Sequence, residues 1–323
     1  MSGEILKVEE LTKYFPAGKR NLLGKQTQLL KAVDGVSLTI QKGEIFGLVG
    51  ESGCGKSTLG RCVLRITEPT SGRIHFDGEE ITNADARQLK QLRRKMQMIF
   101  QNPYSSLNPR LTIRQTFMEV LRVHGLAAGR ESERIGELLE LVGLPKDSVD
   151  RHPHEFSGGQ LQRIVIARSL LVEPLFIMAD EPVSALDVSV QAQILNLIGK
   201  LKDELGLTML FVAHDLGVVE HISDRVGVMY LGQIVELADV EELYRHTLHP
   251  YTKALMAAIP VPDPKRKDEK VILEGDIPSP IDLPQGCRFA SRCSECMDRC
   301  RVEKPSLQEV SPGHYVACHL YDQ

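Results

Sequence analysis

A short apolar run that ends in a glycine-rich turn constrains this 323-residue chain more than any other feature. The run covers residues 44–49 (EIFGLV) and continues into residues 50–57 (GESGCGKS). The next residues, TLGRCVLRI, place apolar side chains at helical spacing. This order predicts a buried strand, a loop and a helix that follow one another directly.

The loop fits the pattern G-x-x-x-x-G-K-[ST] at every fixed position, between a strand and a helix as the pattern requires. Glycines let backbone N–H groups surround an anion, and the start of the helix adds partial positive charge. Lys56 can then reach the β- and γ-phosphates of a nucleotide, and the Ser57 hydroxyl can ligate Mg²⁺. The glycine spacing does not fit the dinucleotide pattern G-x-G-x-x-G. We therefore predict a nucleoside triphosphate and Mg²⁺ as ligands.

Further apolar runs of strand length predict the rest of an α/β domain. They lie at residues 175–179 (LFIMA) and 207–213 (LTMLFVA) and are typical of strands buried on both faces of a parallel sheet. Between them, apolar residues recur on one face of a helix. This alternation predicts a sheet with right-handed crossovers.

Two regions interrupt the alternation of strand and helix. Residues 134–142 (RIGELLELV) and 160–171 (QLQRIVIARSLL) have helical spacing and predict a helical insertion, which we place at about 103–171. Residues 226–237 (VGVMYLGQIVEL) predict a β-hairpin that turns at Gly232 and Gln233.

Three ionisable residues follow the predicted strands. Asp180 and Glu181 end the run LFIMADE, and His214 ends the next run. Because ligands of open α/β sheets bind at this edge, Asp180 is predicted to hold Mg²⁺ through water and Glu181 to orient or deprotonate an attacking water. A lone histidine is more often structural, but its position makes His214 a candidate donor to the γ-phosphate.

Ser157 and Gln160 have the S-x-x-Q spacing of a capping box and predict the start of a helix. Two glycines follow Ser157, so this helix start is also a candidate site for a phosphate.

Composition excludes several classes of protein. The chain has 42% hydrophobic residues, 25% charged residues and a formal net charge of −4, which is typical of a soluble globular protein. There is no global positive field for nucleic acid or an anionic membrane surface. No apolar stretch approaches the roughly 18 residues of a membrane span. The start, MSGEILKVEE, lacks a signal pattern, so we expect a cytoplasmic protein.

The composition changes beyond about Pro250. Prolines cluster at Pro260, Pro262 and Pro264, a charged run KRKDEK follows, and most of the seven cysteines lie near the end, which predicts a domain boundary. A reducing cytoplasm disfavours disulfides, so metal ligation is the leading interpretation of Cys287, Cys293, Cys296, Cys300 and Cys318. Four thiolates suit either Zn²⁺ or an iron–sulfur cluster, and spacing alone does not decide between them.

Five motifs occur in the order expected of an ABC-transporter nucleotide-binding subunit, which the chain resembles over roughly residues 5–247. They are GESGCGKS, FSGGQ (156–160), MADEP (178–182), SALD (184–187) and VAHD (212–215). The resemblance implies an α/β fold: a P-loop NTPase sheet with an antiparallel β subdomain and a helical insertion subdomain. It also implies that two such subunits enclose two ATP molecules. Residues 157–159 of one would face the γ-phosphate held by the other. Phe156 stands where leucine is commoner, an apolar exchange without consequence.

The resemblance also implies roles for individual residues. Gln101 matches the glutamine that senses Mg²⁺ and the lytic water and touches the membrane partner, and Asp187 matches the loop that couples the two sites. Phe15 matches the aromatic residue that stacks on adenine, with Tyr14 as a close alternative. The implied catalytic residues are Glu181, His214 and Gln101, and the implied Mg²⁺ ligands are Ser57, Gln101 and Asp180. The implied nucleotide-binding residues are Phe15, Gly50, Ser52, Gly53, Cys54 (a variable position, interpreted as a bystander), Gly55, Lys56, Ser57, Thr58, Ser157, Gly158, Gly159, Gln160 and Asp187.

Longer motifs resemble one branch of the family, the ATP-binding subunits of dipeptide/oligopeptide permeases, and more closely the second of their two ATPase subunits. They are FQNPYSSLNPR (100–110), HPHEFSGG (152–159), ALDVSVQAQ (185–193) and HPYTKAL (249–255). Nickel, glutathione and some sugar importers share this branch, so the cargo stays open. In this branch the tail pattern C-x5-C-x6-C-x17-C is associated with a [4Fe–4S] cluster, which we favour over Zn²⁺. The pattern selects Cys287, Cys293, Cys300 and Cys318 as ligands and leaves Cys296 spare.

The resemblance predicts the organisation and the partners of the chain. An ATPase domain would cover residues 1–247, and a small cysteine-rich C-terminal extension would cover 248–323. The partners would be a homologous ATPase subunit, two transmembrane permease subunits and, indirectly, a solute-binding protein. The chain would lie peripherally at the cytoplasmic face of the membrane. A less favoured alternative is a soluble ABC protein that acts on nucleic acid or ribosomes. The net negative charge and the presence of a single phosphate-loop lysine, Lys56, argue against this alternative.

Overall fold

The structure is a computed structural model that describes residues 3–20, 26–126, 129–259 and 278–322. The strands in chain order are β1 (Glu4–Arg20), β2 (Gln26–Gln41), β3 (Ile45–Val49), β4 (Ser71–Phe76), β5 (Glu79–Glu80), β6 (Met96–Ile99), β7 (Phe176–Asp180), β8 (Thr208–Val212), β9 (Arg225–Tyr230), β10 (Gln233–Asp239), β11 (Gln308–Ser311) and β12 (His314–Val316). The helices are α1 (Lys56–Val63), α2 (Ala86–Lys95), α3 (Pro103–Ser106), α4 (Ile113–Val123), α5 (Glu131–Leu141), α6 (Gly158–Leu170), α7 (Val188–Leu205), α8 (Leu216–Ile222), α9 (Val240–Arg245), α10 (Pro250–Ala257) and α11 (Asp298–Val302). Short 3₁₀ helices cover Lys146–Asp150, Pro153–Glu155 and His319–Tyr321.

The described residues divide into two compact units. The first lies within 1–3, 41–45 and 83–212, and the second lies within 4–40, 46–82 and 213–323. Each unit has its own hydrogen-bonded strands, and we describe each separately.

In the first unit, β6, β7 and β8 form parallel pairs. The register runs from Met96 opposite Phe176 to Ile99 opposite Ala179, and β7 continues against β8. All residues of β7 and β8 are buried, which explains why their sequences are continuous apolar runs. The predicted strands at 175–179 and 207–213 are confirmed to within one residue at each end.

The helices of the first unit include the predicted insertion. Helices α5 and α6 correspond to the predicted segments 134–142 and 160–171, and α6 packs against α3, α4, α5 and α7. Capping boxes start α2 at Asp85, α4 at Thr112 and α6 at Ser157. A side-chain oxygen that bonds the N3 amide satisfies a donor that the helix leaves open, which fixes these boundaries.

In the second unit, β3 pairs in parallel with β9, and β9, β10, β12 and β11 continue as antiparallel neighbours. A separate antiparallel sheet has the order β2-β1-β4-β5. The predicted α/β class with an antiparallel sheet and a helical insertion is therefore confirmed. Strand β12 adds the C-terminal residues to the sheet edge at β10, which the sequence did not predict.

The hairpin between β9 and β10 turns one residue earlier than predicted. Its turn residues are Leu231 and Gly232, not Gly232 and Gln233. Both have positive φ, 42° and 86°, as a type I′ turn requires. Leucine gives no signal for this conformation, which explains the error.

No helix within the described ranges is long and apolar enough to span a bilayer. The proline-rich and charged stretch that suggested a domain boundary, including Pro260, Pro262 and Pro264, lies outside the described residues.

Candidate active site

Close packing in the second unit requires two glycines of the loop at 50–57, Gly50 and Gly55. Gly50 has φ +152°, and a Cβ there would lie 2.1 Å from the carbonyl oxygen of Met229. Gly55 has φ +112°, and its Cβ would lie 2.0 Å from the carbonyl oxygen of Ala32. Neither position accepts a side chain, so the backbone conformation of the loop after β3 requires glycine at both.

Lys56 is the first residue of α1 and is buried, with 4% of its surface exposed. Its Nζ donates to the carbonyl oxygens of Gly50 at 2.7 Å and Glu51 at 3.0 Å. The loop therefore folds around its own ammonium group. The three donors of that group suit phosphate oxygens equally well, as the phosphate-loop interpretation requires.

The carboxyl end of β7 carries the predicted acidic pair in the first unit. Asp180 is the last residue of β7 and is 4% exposed. Glu181 has φ +47°, a left-handed conformation that costs about 1–2 kcal/mol in a non-glycine residue. Its amide donates to Val212 O at 3.0 Å. Backbone strain of this kind is common at active sites, where the orientation of a side chain is fixed by its surroundings.

The structure brings Gln101 and Glu181 together. Gln101 Nε2 donates to Glu181 Oε2 at 2.9 Å and lies 3.4 Å from Ser184 Oγ. The Ser184 hydroxyl donates to Glu181 O at 3.1 Å. The sequence indicated no separate role for Ser184, although this residue begins the SALD motif. An acid, an amide and a hydroxyl thus form one hydrogen-bonded group that can orient a water molecule.

Ser157 caps α6 as predicted. Its amide donates to Gln160 Oε1 at 3.0 Å, and its hydroxyl accepts from the Gln160 amide at 3.4 Å. A Cβ on Gly159 would lie 2.4 Å from Val190 Cγ1, so this turn packs closely on α7. Asp187 is exposed at the start of α7, where its side chain makes no capping hydrogen bond.

The two candidate adenine-stacking residues have different surroundings. The Tyr14 hydroxyl donates to Asp34, and burial together with that bond raises the Tyr14 pKa to about 12. Phe15 is 37% exposed, and Lys13 Nζ lies 4.9 Å from its ring centroid. An accessible ring favours Phe15 as the stacking residue. His214 is exposed and follows β8 by two residues.

The prediction of a metal site in the tail is not confirmed. Across the described ranges, no group of three or more His, Cys, Asp or Glu side chains is arranged to hold a metal ion. All the cysteines are free thiols. Burial raises the pKa of Cys287 and of Cys318 to about 11, and the neighbouring cysteines, including Cys293 and Cys300, add to the effect. The four thiols are therefore neighbours in a desolvated setting without a preformed coordination geometry.

Tyr251 contacts the phosphate loop, a role that was not predicted from the sequence. Its hydroxyl accepts from the Glu51 amide at 2.9 Å. Tyr251 is fully buried and lies within the motif HPYTKAL, whose resemblance to the permease branch was the available signal.

The phosphate loop between β3 and α1 is typical of proteins that bind and hydrolyse nucleoside triphosphates. A family profile described as "ABC transporter" matches residues 33–184, and one described as "Oligopeptide/dipeptide transporter, C-terminal region" matches residues 235–300. The putative oligopeptide transport ATP-binding protein YkfD of Bacillus subtilis (strain 168) is 52% identical over 98% of this chain and 95% of its own length. The oligopeptide transport ATP-binding protein AppF of the same organism is 50% identical over 98% and 97%. The chain belongs to the family of ABC-transporter ATP-binding proteins.

Solved structures agree with this membership. The ATP-binding cassette MJ0796, a dimer in a post-hydrolysis state with ADP and Pi, is 29% identical and aligns with a TM-score of 0.64 over 73% of this chain and 99% of its own. CbiO1 of Clostridium perfringens, part of the transporter complex cbiONQ, is 28% identical with a TM-score of 0.65 over 75% and 91%.

Proposed function

We propose that this chain hydrolyses ATP to power the import of di- and oligopeptides through a membrane transporter. The observation that carries the proposal is the pairing of the ATPase motifs with a C-terminal region of the oligopeptide/dipeptide transporter type in one chain. Relatives with peptide or oligopeptide in their names align over nearly the whole chain, which supports the same cargo.

The proposed chemistry relies on positioning and electrostatics, as phosphoryl transfer generally does. The loop amides and Lys56 bind the phosphates, and Glu181 orients or deprotonates the attacking water with Gln101 beside it. His214 donates to the γ-phosphate, and Phe15 stacks on adenine. Residues 157–159 and Asp187 complete the site of a second subunit.

The residues that the family resemblance assigns to Mg²⁺ are of a suitable chemical type. A hydroxyl at Ser57, the carboxylate of the buried Asp180 and the amide oxygen of Gln101 are hard oxygen donors of the kind that Mg²⁺ prefers. When bound, Mg²⁺ neutralises charge on the phosphates during transfer.

The proposed partners follow from the family. A homologous ATPase subunit would face this chain across two ATP molecules, and two transmembrane permease subunits would provide the path for cargo from a solute-binding protein. The chain would then be peripheral at the cytoplasmic face of the membrane, with an ATPase domain at 1–247 and an extension at 248–323. A nickel, glutathione or other small-solute importer is the alternative cargo assignment.

Reconstitution tests this function. The chain is combined in liposomes with its permease and partner ATPase subunits and its binding protein, and uptake of a labelled tripeptide, glutathione and Ni²⁺ is measured with ATP. We expect peptide uptake that a K56A variant abolishes. Uptake of Ni²⁺ or glutathione without uptake of peptide would refute the cargo, and absence of ATP-dependent uptake of any solute would refute the function.

We also propose that Cys287, Cys293, Cys300 and Cys318 bind a [4Fe–4S] cluster, with Zn²⁺ as the alternative. Burial raises the pKa of the Cys287, Cys293 and Cys318 thiols, while the backbone amides of Phe289, Glu295 and Leu320 act to lower it. Amide groups directed at cluster sulfurs tune an iron–sulfur cluster. Anaerobic purification followed by visible absorption and metal analysis tests this. A broad visible band with iron and sulfide supports the cluster, and stoichiometric zinc in a colourless sample would refute it.

A further inference from the structure

Two arginines of the C-terminal tail, residues 278–322, have buried side chains in the second unit. The side chain of Arg288 is 7% exposed, and that of Arg292 is 5% exposed. Arginine is almost never buried without a partner, because its charge must leave water. The partners of these two residues therefore identify the part of the second unit that the tail contacts.

Arg292 holds a residue of the phosphate loop. Its Nη1 lies 2.8 Å from Glu51 Oε2, and its Nη2 lies 3.0 Å from Glu51 Oε1. This is a bidentate pair, the geometry that fixes a carboxylate most firmly. The guanidinium also lies over the Tyr230 ring, 5.9 Å from its centroid. The hydrogen bonds to Glu51 raise the Arg292 pKa, so the guanidinium stays charged.

Glu51 connects Arg292 to the lysine of the loop. The Glu51 amide donates to the Tyr251 hydroxyl, and the Glu51 carbonyl accepts from Lys56 Nζ. Glu51 occupies a variable position of the phosphate-binding pattern, so phosphate binding alone does not call for a carboxylate there. The carboxylate instead gives the tail a point of attachment on the residue whose carbonyl oxygen holds the ammonium group.

Arg288 contacts the turn that hydrogen-bonds to the same loop. It pairs with Asp34 and donates to the carbonyl oxygen of Leu231. The next residue, Gly232, donates its amide to Cys54 O at 2.7 Å. Residues 278–280 of the tail also line a cavity of about 220 Å³ together with Ser52 and Gly53. The tail thus contacts the loop directly and through its supporting turn.

We propose that Arg292 is a positioning residue for the phosphate loop and that its pair with Glu51 sets the affinity for ATP. The tail segment between Cys287 and Cys293 thereby controls nucleotide binding. This inference rests on the proposed function, because the loop must bind ATP for its position to matter.

Titration of the full-length chain with MANT-ATP and Mg²⁺ tests the inference. We expect R292Q and E51Q each to weaken binding about tenfold, equivalent to about 1.4 kcal/mol. The double variant should bind no more weakly than either single variant, because both remove the same interaction. The matched control is R299Q, which removes a tail arginine that pairs with Glu303 on the surface and should bind like wild type.

Further readouts separate positioning from damage to the fold. R292K keeps the charge without the planar fork and should bind with intermediate affinity. In the reconstituted transporter, R292Q should raise the KM for ATP while kcat changes less than about twofold, since Arg292 does not touch the reacting atoms. If R292Q does not fold, E51Q and R292K carry the test.

The outcomes distinguish this inference from the proposed function. Wild-type affinity in both R292Q and E51Q, equal losses in R292Q and R299Q, or additive losses in the double variant would overturn the positioning role alone. Failure of wild type and R299Q to bind MANT-ATP would overturn the ATPase function and this inference with it.

Discussion

The phosphate loop at residues 50–57 and the tail at residues 278–322 are held by different kinds of interaction. The loop is fixed by backbone packing, since a side chain at Gly50 or Gly55 would overlap a neighbouring carbonyl oxygen. The tail has short helices and strands, and polar pairs such as Arg288 with Asp34 and His314 with Glu236 attach it. Substitutions that add a side chain should therefore destabilise the loop. Changes of charge should instead destabilise the tail.

Phe289 shows where the two regions share a core. Its ring is 2% exposed and lies 5.3 Å from the Tyr230 ring and 5.4 Å from the Tyr251 ring, by centroids. Tyr251 in turn bonds the loop at Glu51. Apolar packing joins the tail to the loop, and the charged pairs set its precise position.

The largest expected effect comes from Gly55. G55A should destabilise the fold by about 3 kcal/mol or more and abolish ATP binding, because its Cβ would lie 2.0 Å from Ala32 O. The matched control is G78A, since Gly78 has φ +84° and a Cβ added there would meet nothing within 4 Å. It should cost only about 1 kcal/mol of backbone strain. Urea denaturation measures both variants, and equal losses would contradict a role for close packing.

The region around His249, which contacts Phe289 of the tail, should instead respond to pH. Burial lowers the pKa of His249 to about 4, and its Nδ1 accepts from the Tyr251 amide in the neutral form. The unfolded chain therefore binds a proton that the folded chain does not, so stability falls as pH drops from about 6.5 towards 4, by up to about 3 kcal/mol. H249Q should remove most of this loss. An unchanged acid slope in H249Q, measured by urea denaturation between pH 4 and pH 8, would contradict the assignment.

His314 should act in the opposite direction. Burial lowers its pKa, but hydrogen bonds and charge from Glu236 and Glu242 outweigh burial and raise it overall. Because the folded chain holds this proton more tightly, the stabilisation is complete below about pH 6.5 and is lost as pH rises through the folded pKa. H314Q should therefore lower stability most at and below about pH 6.5, and it should remove the decline in stability above that pH. A loss of equal size at every pH would indicate packing alone.

The smallest expected effect is at the start of α6, which is held by a side-chain cap. S157A should cost about 1 kcal/mol of stability, and T112A, which removes the same capping box from α4, should cost about as much. Only S157A should also reduce ATP hydrolysis, because Ser157 is the residue proposed to meet a phosphate. Thermal denaturation and a phosphate-release assay compare the two. Similar hydrolysis by both variants would leave Ser157 as a helix cap only.

Sequence patterns predicted the parts of the fold that local chemistry determines. The loop, the strands β7 and β8 and the capped start of α6 are each specified by residues that are adjacent in the chain. The bond between Gln101 and Glu181 was not predicted as a contact, although both residues were predicted site members.

Contacts between distant residues were not predictable. Arg292 pairs with Glu51 although the two residues are 241 positions apart in the sequence, and β12 pairs with β10. Tertiary packing brings these residues together, and no local sequence pattern indicates it. The turn at Leu231 was misplaced because leucine rarely has positive φ. The cysteine spacing suggested ligands for a metal, but spacing does not determine how the thiols are oriented.

Hydrolysis by E181Q tests the central claim most directly. Glu173 is a matched control, since it is also a glutamate with positive φ, 52° against 47° for Glu181, and E173Q removes only a surface pair with Arg134. Phosphate release from ATP is measured on the purified chain at concentrations that allow two copies to pair. We expect E181Q to bind ATP, to dimerise more stably and to hydrolyse at least about 100-fold more slowly, while E173Q behaves as wild type. Wild-type turnover by E181Q would contradict the assignment of the water-activating residue and the account of the site built around it.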